Sequence, residues 1–515
     1  MPTAIKCDKL RPMVNTLIRR LALIKAEFGT ALATEKSQLL HDLASARIRL
    51  VADLISYHDS LCYLRAYCDS PELLQFVDYE LDRFSRRLRQ LKRPLGKSAR
   101  LRLERSGIVG TSFTHDFGYQ MTKWLLQNFP TAADFDYAEL RKLKGDPILD
   151  LLPALVTWNE NDAVDDPYLT TEEIRDADIG SRHISPLQWF VELFRRLPAD
   201  ENLKRLLFDK IAFSLRITIG KQPFAITNSR EPVGDYFFQQ EPLQRGYPDL
   251  RSDLRRTRLT PNLLDPISGR KIIDRARMAL LVRRRELWPL SFANEQEVWA
   301  AAIGRGTTIY LLGMLPETRL PLEANYSALL VRNGVPIGYG VAAMVGERLE
   351  LAINIFDSFR RCEAAFIYTN FLRMLHQLFG CSYLVVRRYQ VGYDNPEGLE
   401  SGAYWFYYKL GFRSLDSGLR ELAETEAARI AARRGYRTPL TMLKRLAESD
   451  LCLNLRRPRD FSDRDFALGQ IALLQTRFIA QAFAGDRDRA RREAPKTAAK
   501  RLAVRSTAGW SRLER

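Results

Sequence analysis

Apolar residues recur at steps of three and four through Leu10, Met13, Leu17, Leu21, Ile24 and Phe28, which lays one stripe along a helix. Leu40, Ala44, Ile48, Val51 and Ile55 repeat the spacing, so a second helix is expected after the polar stretch 30–36. A third is expected over 71–91. Beyond residue 107 helical pieces alternate with acidic loops at 158–166 and 170–178, and Leu187, Phe190, Val191 and Phe194 form another stripe. Residues 213–226 are more strand-like. The stretch 230–266 is rich in Pro, Asp and Arg and has no period, which predicts a long irregular connection or a docking segment. A helix over 271–287 follows.

The character of the chain then changes. Residues 307–315 are apolar and β-branched, as in a strand. Runs at 326–331 and 335–345 flank Arg332-Asn333-Gly334, where the Asn-Gly pair supplies the positive φ of a tight hairpin turn. In 348–356, Leu349, Leu351, Ile353 and Ile355 alternate with Glu350, Ala352 and Asn354, the period of a strand. A basic turn, Asp357 to Glu363, leads into a helix that Gly380 stops. Residues 383–386 read as a buried strand and 396–410 as a second helix, which closes with Phe406-Tyr407-Tyr408-Lys409-Leu410-Gly411-Phe412. Further helices are expected over 418–448 and 461–483, the latter with a stripe of Leu468, Ile471, Leu474 and Phe478. From 485 onward Arg, Lys and Ala dominate, with Leu502, Val504 and Trp510 the few apolar exceptions.

The expected fold class is α+β: a mainly helical N-terminal region over 1–290 with room for two subdomains, a mixed-sheet domain over 291–417, a helical extension over 418–484 and a basic flexible tail over 485–515. A chain of 515 residues is too long for one ordinary core. Its net charge of +17 favours an acidic partner such as nucleic acid, an anionic membrane surface or a phosphorylated cofactor. Basic residues crowd between Arg83 and Arg105, and again at Arg283, Arg284 and Arg285. No aromatic residues interleave between Ser85 and Arg105 to stack on bases, so a solvated helix face outweighs a nucleic-acid patch in both places. Cys7, Cys62, Cys68, Cys362, Cys381 and Cys452 show neither zinc nor disulfide spacing, so no metal and a reducing, cytoplasmic setting are expected. No apolar run approaches bilayer length, and Arg19 and Arg20 interrupt the first stripe where a secretion signal would need to be apolar. His115 and His183 lie near acids but have no nucleophile motif beside them.

The order strand, strand, strand, basic turn, helix, strand, helix over roughly 307–416 resembles the GNAT superfamily of N-acetyltransferases. That family often ends the last of these helices with A-x-x-F-Y-x-K-x-G-F, matched by Ala403, Phe406, Tyr407, Lys409, Gly411 and Phe412. Its phosphate-binding turn, R/Q-x-x-G-x-G/A, is met at its two ends by Arg360 and Ala365. The resemblance implies that acetyl-CoA or another acyl-CoA is the donor. Its pyrophosphate would lie against Arg360, Arg361, Cys362, Ala364 and Ala365, and its pantetheine arm between the 348–356 and 383–386 strands, along Ile353 and Ile355. Asn395 is implied as a further cofactor contact, and Tyr407 as the group beside the cofactor that protonates the leaving thiolate. Glu350 is the nearest candidate for the base that takes the proton of the attacking amine, with Glu347 and Asp357 behind it. The acceptor is an amine, on a small molecule or a protein. The chain departs from the family at Glu363, which stands where the first glycine is expected; a carboxylate beside a pyrophosphate is repelled. A second class therefore stands beside the first: a non-catalytic interaction protein on the same scaffold, with nucleic acid as one partner its charge allows.

Overall fold

The first apolar stripe forms the Lys6–Ile24 helix, with Leu21 fully buried. The second is divided between two helices, Thr30–Ser45 and Val51–Ala66. Leu40, Leu43 and Leu54 are all buried, so the apolar period runs on through a break that it cannot register. The break is held from a distance. The Arg87 guanidinium donates to the carbonyls of Leu43, Ala44 and Ala46 at 3.0, 3.1 and 3.2 Å and pairs with Glu80 at 2.6 Å, giving the last carbonyls of the helix a partner. Arg87 thereby leaves the solvated face that the 83–105 run was expected to form. The expected 71–91 helix likewise divides at Arg83, into Pro71–Asp82 and Phe84–Arg89.

These observations come from a computed structural model that describes residues 6–91, 94–140, 148–166, 168–256, 258–457, 468–506 and 508. Lys92, Arg93 and Trp510, and positions 461–467 of the helix expected over 461–483, lie outside the described residues. The architecture is α+β, with a large helical N-terminal region, a mixed sheet and a helical C-terminal extension. No helix among the described residues is long and apolar enough to cross a membrane.

Within the N-terminal region, β1 (Ser112–His115), β2 (Ala133–Phe135) and β3 (Leu215–Thr218) form a small sheet in the order β1-β3-β2. Phenylalanines cover it: the rings of Phe190 and Phe213 meet edge to face with centroids 5.0 Å apart. The Val51–Ala66 helix ties this region to the large sheet through Asp59, which accepts from Ser358 just after the Arg348–Ile355 strand. Its His58 Nε2 lies 2.9 Å from the Thr227 hydroxyl, which also accepts from the Val109 amide.

The large sheet contains β4 (Asn262–Leu263), β5 (Ala293–Gly304), β6 (Thr307–Met314), β7 (Ala324–Arg332), β8 (Val335–Val345), β9 (Arg348–Ile355), β10 (Tyr383–Val386), β11 (Arg413–Ser414) and β12 (Leu451–Asn454). Their order is β11-β12-β10-β9-β8-β7-β6-β5-β4. Every pairing is antiparallel except that of β9 with β10. The β7–β8 hairpin turns where the sequence predicts, on Asn333 and Gly334 at φ 46° and 76°. Four strands of this sheet, β4, β5, β11 and β12, were not foreseen. β12 rises out of the extension expected to be helical and inserts between β10 and β11, with Leu451 and Cys452 buried. The 230–266 connection carries a short helix, Leu250–Arg256, and docks on the hairpin turn, where Asn333 accepts from the Phe237 amide and donates to its carbonyl.

The Ala364–Phe379 helix lies across one face of the sheet. It approaches so closely that a Cβ on Gly340 would stand 2.3 Å from the Phe371 ring. The helix expected over 396–410 is broken into Pro396–Ser401 and Ala403–Lys409 at Gly402, which takes a left-handed φ of 71°. Two features of the C-terminal part differ from expectation. The Leu468–Phe483 stripe is largely exposed, with Leu474 at 61%, and the segment read as a flexible tail contains a helix, Arg487–Arg501, supported by an Arg489–Glu493 ion pair at 3.1 Å.

The junction at His58 makes a pH prediction. Burial pushes its imidazole pKa down to about 3, whereas in the unfolded chain it takes a proton near pH ~6.5. The folded value is the lower one, so this stabilisation is complete above the unfolded pKa and is lost as pH falls toward about 3, at about 1.4 kcal/mol per pH unit. Urea midpoints of the wild-type protein should fall more steeply across that window than those of His58→Gln. Parallel declines would mean that His58 is not held neutral.

Candidate functional site

The one parallel pairing in the large sheet is short. β10 matches β9 at Tyr383 with Arg348, Leu384 with Leu349 and Val385 with Glu350. β9 then continues to Ile355, still paired with β8, while β10 stops at Val386 and turns into the Arg388–Val391 helix. Beyond Glu350 the two strands fork, and among the described residues no strand pairs with that edge of 351–355. The last rung is clamped by Arg387, which meets the Glu350 carboxylate at 2.5 Å and Asp450 at 3.0 Å; Asp450 also accepts from the Arg388 amide. β10 is thus turned away as soon as it passes Glu350.

This geometry distributes the expected residues unevenly. Ile353 and Ile355, half-buried, line the open part of β9, on the same face as the Ala364–Phe379 helix. Glu350 sits instead at the closed end of the fork, with Arg348 as well as Arg387 at 2.5 Å. Both arginines meet the same oxygen, Oε1, so the carboxylate is held in an ion pair at the closed end of the fork and does not stand beside the open stretch of β9. Glu347, behind it, is held by Ser382 and Arg456. Asn395 spends its amide locally, accepting from the Gly398 amide at 3.2 Å and donating to the Tyr389 carbonyl at 2.9 Å, which makes it the cap of the Pro396–Ser401 helix.

The basic turn caps the mouth of the fork. Arg360 and Arg361 are exposed; Arg360 pairs with Asp357 at 2.8 Å and Glu397 at 3.2 Å, and Arg361 adopts a left-handed φ of 75°. Cys362 is buried, and burial pushes its thiol up to about 12, which leaves only its backbone to act. Ala364 and Ala365 open the Ala364–Phe379 helix, whose first backbone bond within the turn runs from the Ile367 amide to the Glu363 carbonyl. The earlier amides are not capped by the Glu363 side chain.

That side chain points inward. Its carboxylate lies 2.9 Å from Arg332 on β7 and 2.9 Å from Arg305 in the β5–β6 turn, and it accepts from the Gln244 amide at 2.8 Å. Glu363 and Arg332 are each 1% exposed. In the sheet order, β7 and β6 lie on the far side of β9 from β10, so the acid is directed away from the fork rather than into it.

Tyr407 lies on the Ala403–Lys409 helix, buried, with its ring 5.5 Å from Tyr368 on the long helix and 5.8 Å from Phe412. Burial raises its pKa, so the phenol stays protonated and can serve as a proton donor.

On the opposite face of the sheet a cavity of about 520 Å³ lies between the end of β9 and the N-terminal region. Asn354, Phe356, Asp357 and Ser358 form its sheet side, and Asp59 enters from the Val51–Ala66 helix. The Ser358 hydroxyl donates to Asp59 at 2.7 Å, and burial raises the Asp59 pKa. Sequence reasoning missed Asp59, since no local signal links it to a turn 299 positions away. A larger cavity of about 850 Å³ lies on the β5 side of the long helix, away from the fork, and the Asp253 and Arg373 on its wall pair with each other. Among the described residues no cluster of His, Cys, Asp and Glu is placed to hold a metal ion. Comparison with protein-family models, with curated proteins and with solved structures gives no match.

The Glu363 network makes a stability prediction. Glu363→Ala leaves two guanidinium groups facing each other in the interior, a loss that costs about 3–5 kcal/mol for a broken buried pair. The urea midpoint should drop accordingly. A midpoint unchanged from wild type would mean that the carboxylate faces solvent at the turn.

Proposed function

We propose that the chain is an acyl-CoA-dependent N-acyltransferase, with a GNAT-like catalytic module over about 291–417 that β12 completes. The observation that carries this is the fork between β9 and β10, open from Leu351 to Ile355 and bordered by the uncapped start of a 16-residue helix. A pantetheine arm can take the place of the missing strand along that edge, bonding to backbone groups as an added strand does. The donor phosphates meet the first-turn amides and the positive end of the helix, with Arg360 and Arg361 adding charge.

The chemistry follows from the groups around the fork. The amine nitrogen attacks the thioester carbonyl carbon, and a backbone amide of 351–355 stabilises the oxyanion that forms. As the carbon–sulfur bond breaks, the thiolate takes a proton from Tyr407, and the nitrogen gives up its own. Asp59 replaces Glu350 as the residue best suited to receive that proton, because it lines the cavity beside Asn354 on the open stretch of β9, and burial raises its pKa. The acceptor enters from the cavity on the far face, so the N-terminal region contributes to catalysis instead of merely covering the sheet.

The alternative of a non-catalytic interaction protein drew its support from Glu363. With the carboxylate bound to Arg332 and Arg305, the repulsion that it would exert on a pyrophosphate is neutralised.

Arg360→Ala tests the donor site. Calorimetry should show coenzyme A binding weakened about tenfold, the loss of one charge-assisted contact, while pantetheine, which lacks the nucleotide phosphates, binds as before. Equal weakening of both ligands would remove Arg360 from the phosphate site, and no heat from either would remove the donor site altogether.

A further inference from the structure

The cavity opposite the long helix has more positive charge than its own acids can balance. Lys25, Arg102, Arg105, Arg283, Arg284 and Arg285 line it, against the carboxylates of Asp59 and Asp357. They arrive from three separate parts of the chain. Lys25 follows the first helix, Arg102 and Arg105 end the Lys97–Glu104 helix, and the three consecutive arginines fan out from a tight turn after the Pro266–Leu281 helix, with Arg284 at a left-handed φ of 56°. Arg285 donates to the Tyr339 hydroxyl at 2.9 Å and pairs with Glu397 at 3.6 Å. Asp357 is paired with Arg360, while Asp59 accepts from the Ser358 hydroxyl and interacts electrostatically with Lys25 and Arg283, which leaves the cations in excess. Among the described residues, Lys25, Arg102, Arg105, Arg283 and Arg284 form no salt bridge.

Arg102 and Arg105 are exposed at the rim of the cavity, while Lys25, Arg283, Arg284 and Arg285 are half-buried, where convergence of like charges is unfavourable unless something answers it. Burial lowers the Lys25 pKa, an effect that Asp59 partly opposes, and burial and then Arg105 lower that of Arg284. Arg283 has a structural task as well: it donates to the Ala279 carbonyl at the helix end and lies 3.6 Å over the Phe356 ring. Arg105 and Arg284 have no such task. A space of about 520 Å³ is of the size that holds a small molecule. Asp59, Asn354 and the end of β9 sit on its wall, beside the fork.

We infer that this cavity is the acceptor pocket and that the acceptor is a small amine bearing a phosphate group, bound by Arg105, Arg284 and Lys25 while its amine faces Asp59. The inference rests on the acyltransferase reading for the word acceptor. The anion site itself stands independently of it, and the experiment separates the two.

The probe is inorganic pyrophosphate, titrated calorimetrically into the full chain with and without saturating coenzyme A. Pyrophosphate should bind saturably and remain bound beside coenzyme A. Arg105→Gln combined with Arg284→Asn should weaken it at least about tenfold, with coenzyme A affinity and melting temperature unchanged. Arg360→Ala combined with Arg361→Ala should do the reverse, weakening coenzyme A and sparing pyrophosphate. Absence of saturable binding, or equal binding by the Arg105/Arg284 variant, would overturn the proposal. Displacement of pyrophosphate by coenzyme A would assign the cavity to the donor. Tighter binding of a short single-stranded oligonucleotide that expels pyrophosphate would assign it to nucleic acid. A wild-type protein that binds pyrophosphate but not coenzyme A would sink the acyltransferase reading and leave the anion site in place.

Discussion

A buried carboxylate held between two guanidinium groups decides what the rest of the large sheet can do. Glu363 stands at the entrance to the long helix, where a free acid would repel any anionic ligand. Arg332 and Arg305 draw it beneath the helix toward β7 and β6, and the Gln244 amide completes its shell. Gln239 and Thr307 take further donors of Arg332, and the Tyr67 ring lies 4.0 Å from its guanidinium, so the ion pair sits in a polar pocket that satisfies part of its donors, with Arg332 Nε and two nitrogens of Arg305 left without a hydrogen-bond partner. The same network fastens the irregular 230–266 connection to the sheet. The start of the helix is left open to whatever the fork receives.

The fork has its own cause. A parallel strand pair inside an otherwise antiparallel sheet needs a crossover, here the Ala364–Phe379 helix. Pairing continues only as far as Glu350, where Arg387 is caught between that acid and Asp450. β12 occupies the other edge of β10 along all of its residues, so β10 is fixed on one side while it leaves β9 on the other. Glu350 therefore matters as the pin of the fork, a structural use of a residue whose position on the strand first suggested chemistry. The N-terminal helices supply what the sheet lacks on its far face, an acid at Asp59 and a set of cations.

Much of the sheet was legible in the sequence because its signals are local. Asn333 and Gly334 announce a hairpin by the positive φ that they adopt, Leu349 to Ile355 alternate, and Gly380 ends a helix in a left-handed conformation. Features set by distant partners were not legible. The break between residues 45 and 51 depends on Arg87, and the 396–410 helix breaks at a glycine that the apolar pattern passes over. β12 is only four residues long and becomes a strand because β10 has an edge to fill. At the site, the turn, the open strand and the aromatic helix could be read from motif and period. The direction of the Glu363 side chain, the capture of Glu350 and the arrival of Asp59 could not, since each is fixed by a partner elsewhere in the chain.

Hydrogen–deuterium exchange with and without acetyl-CoA bears most directly on the central claim, that an open strand edge and an uncapped helix start together accept the donor. Saturating acetyl-CoA should slow exchange in peptides covering 351–355 and 360–366 while leaving the β7–β8 hairpin turn unchanged. Exchange that is the same in both segments at saturation, or protection confined to other parts of the chain, would contradict the account.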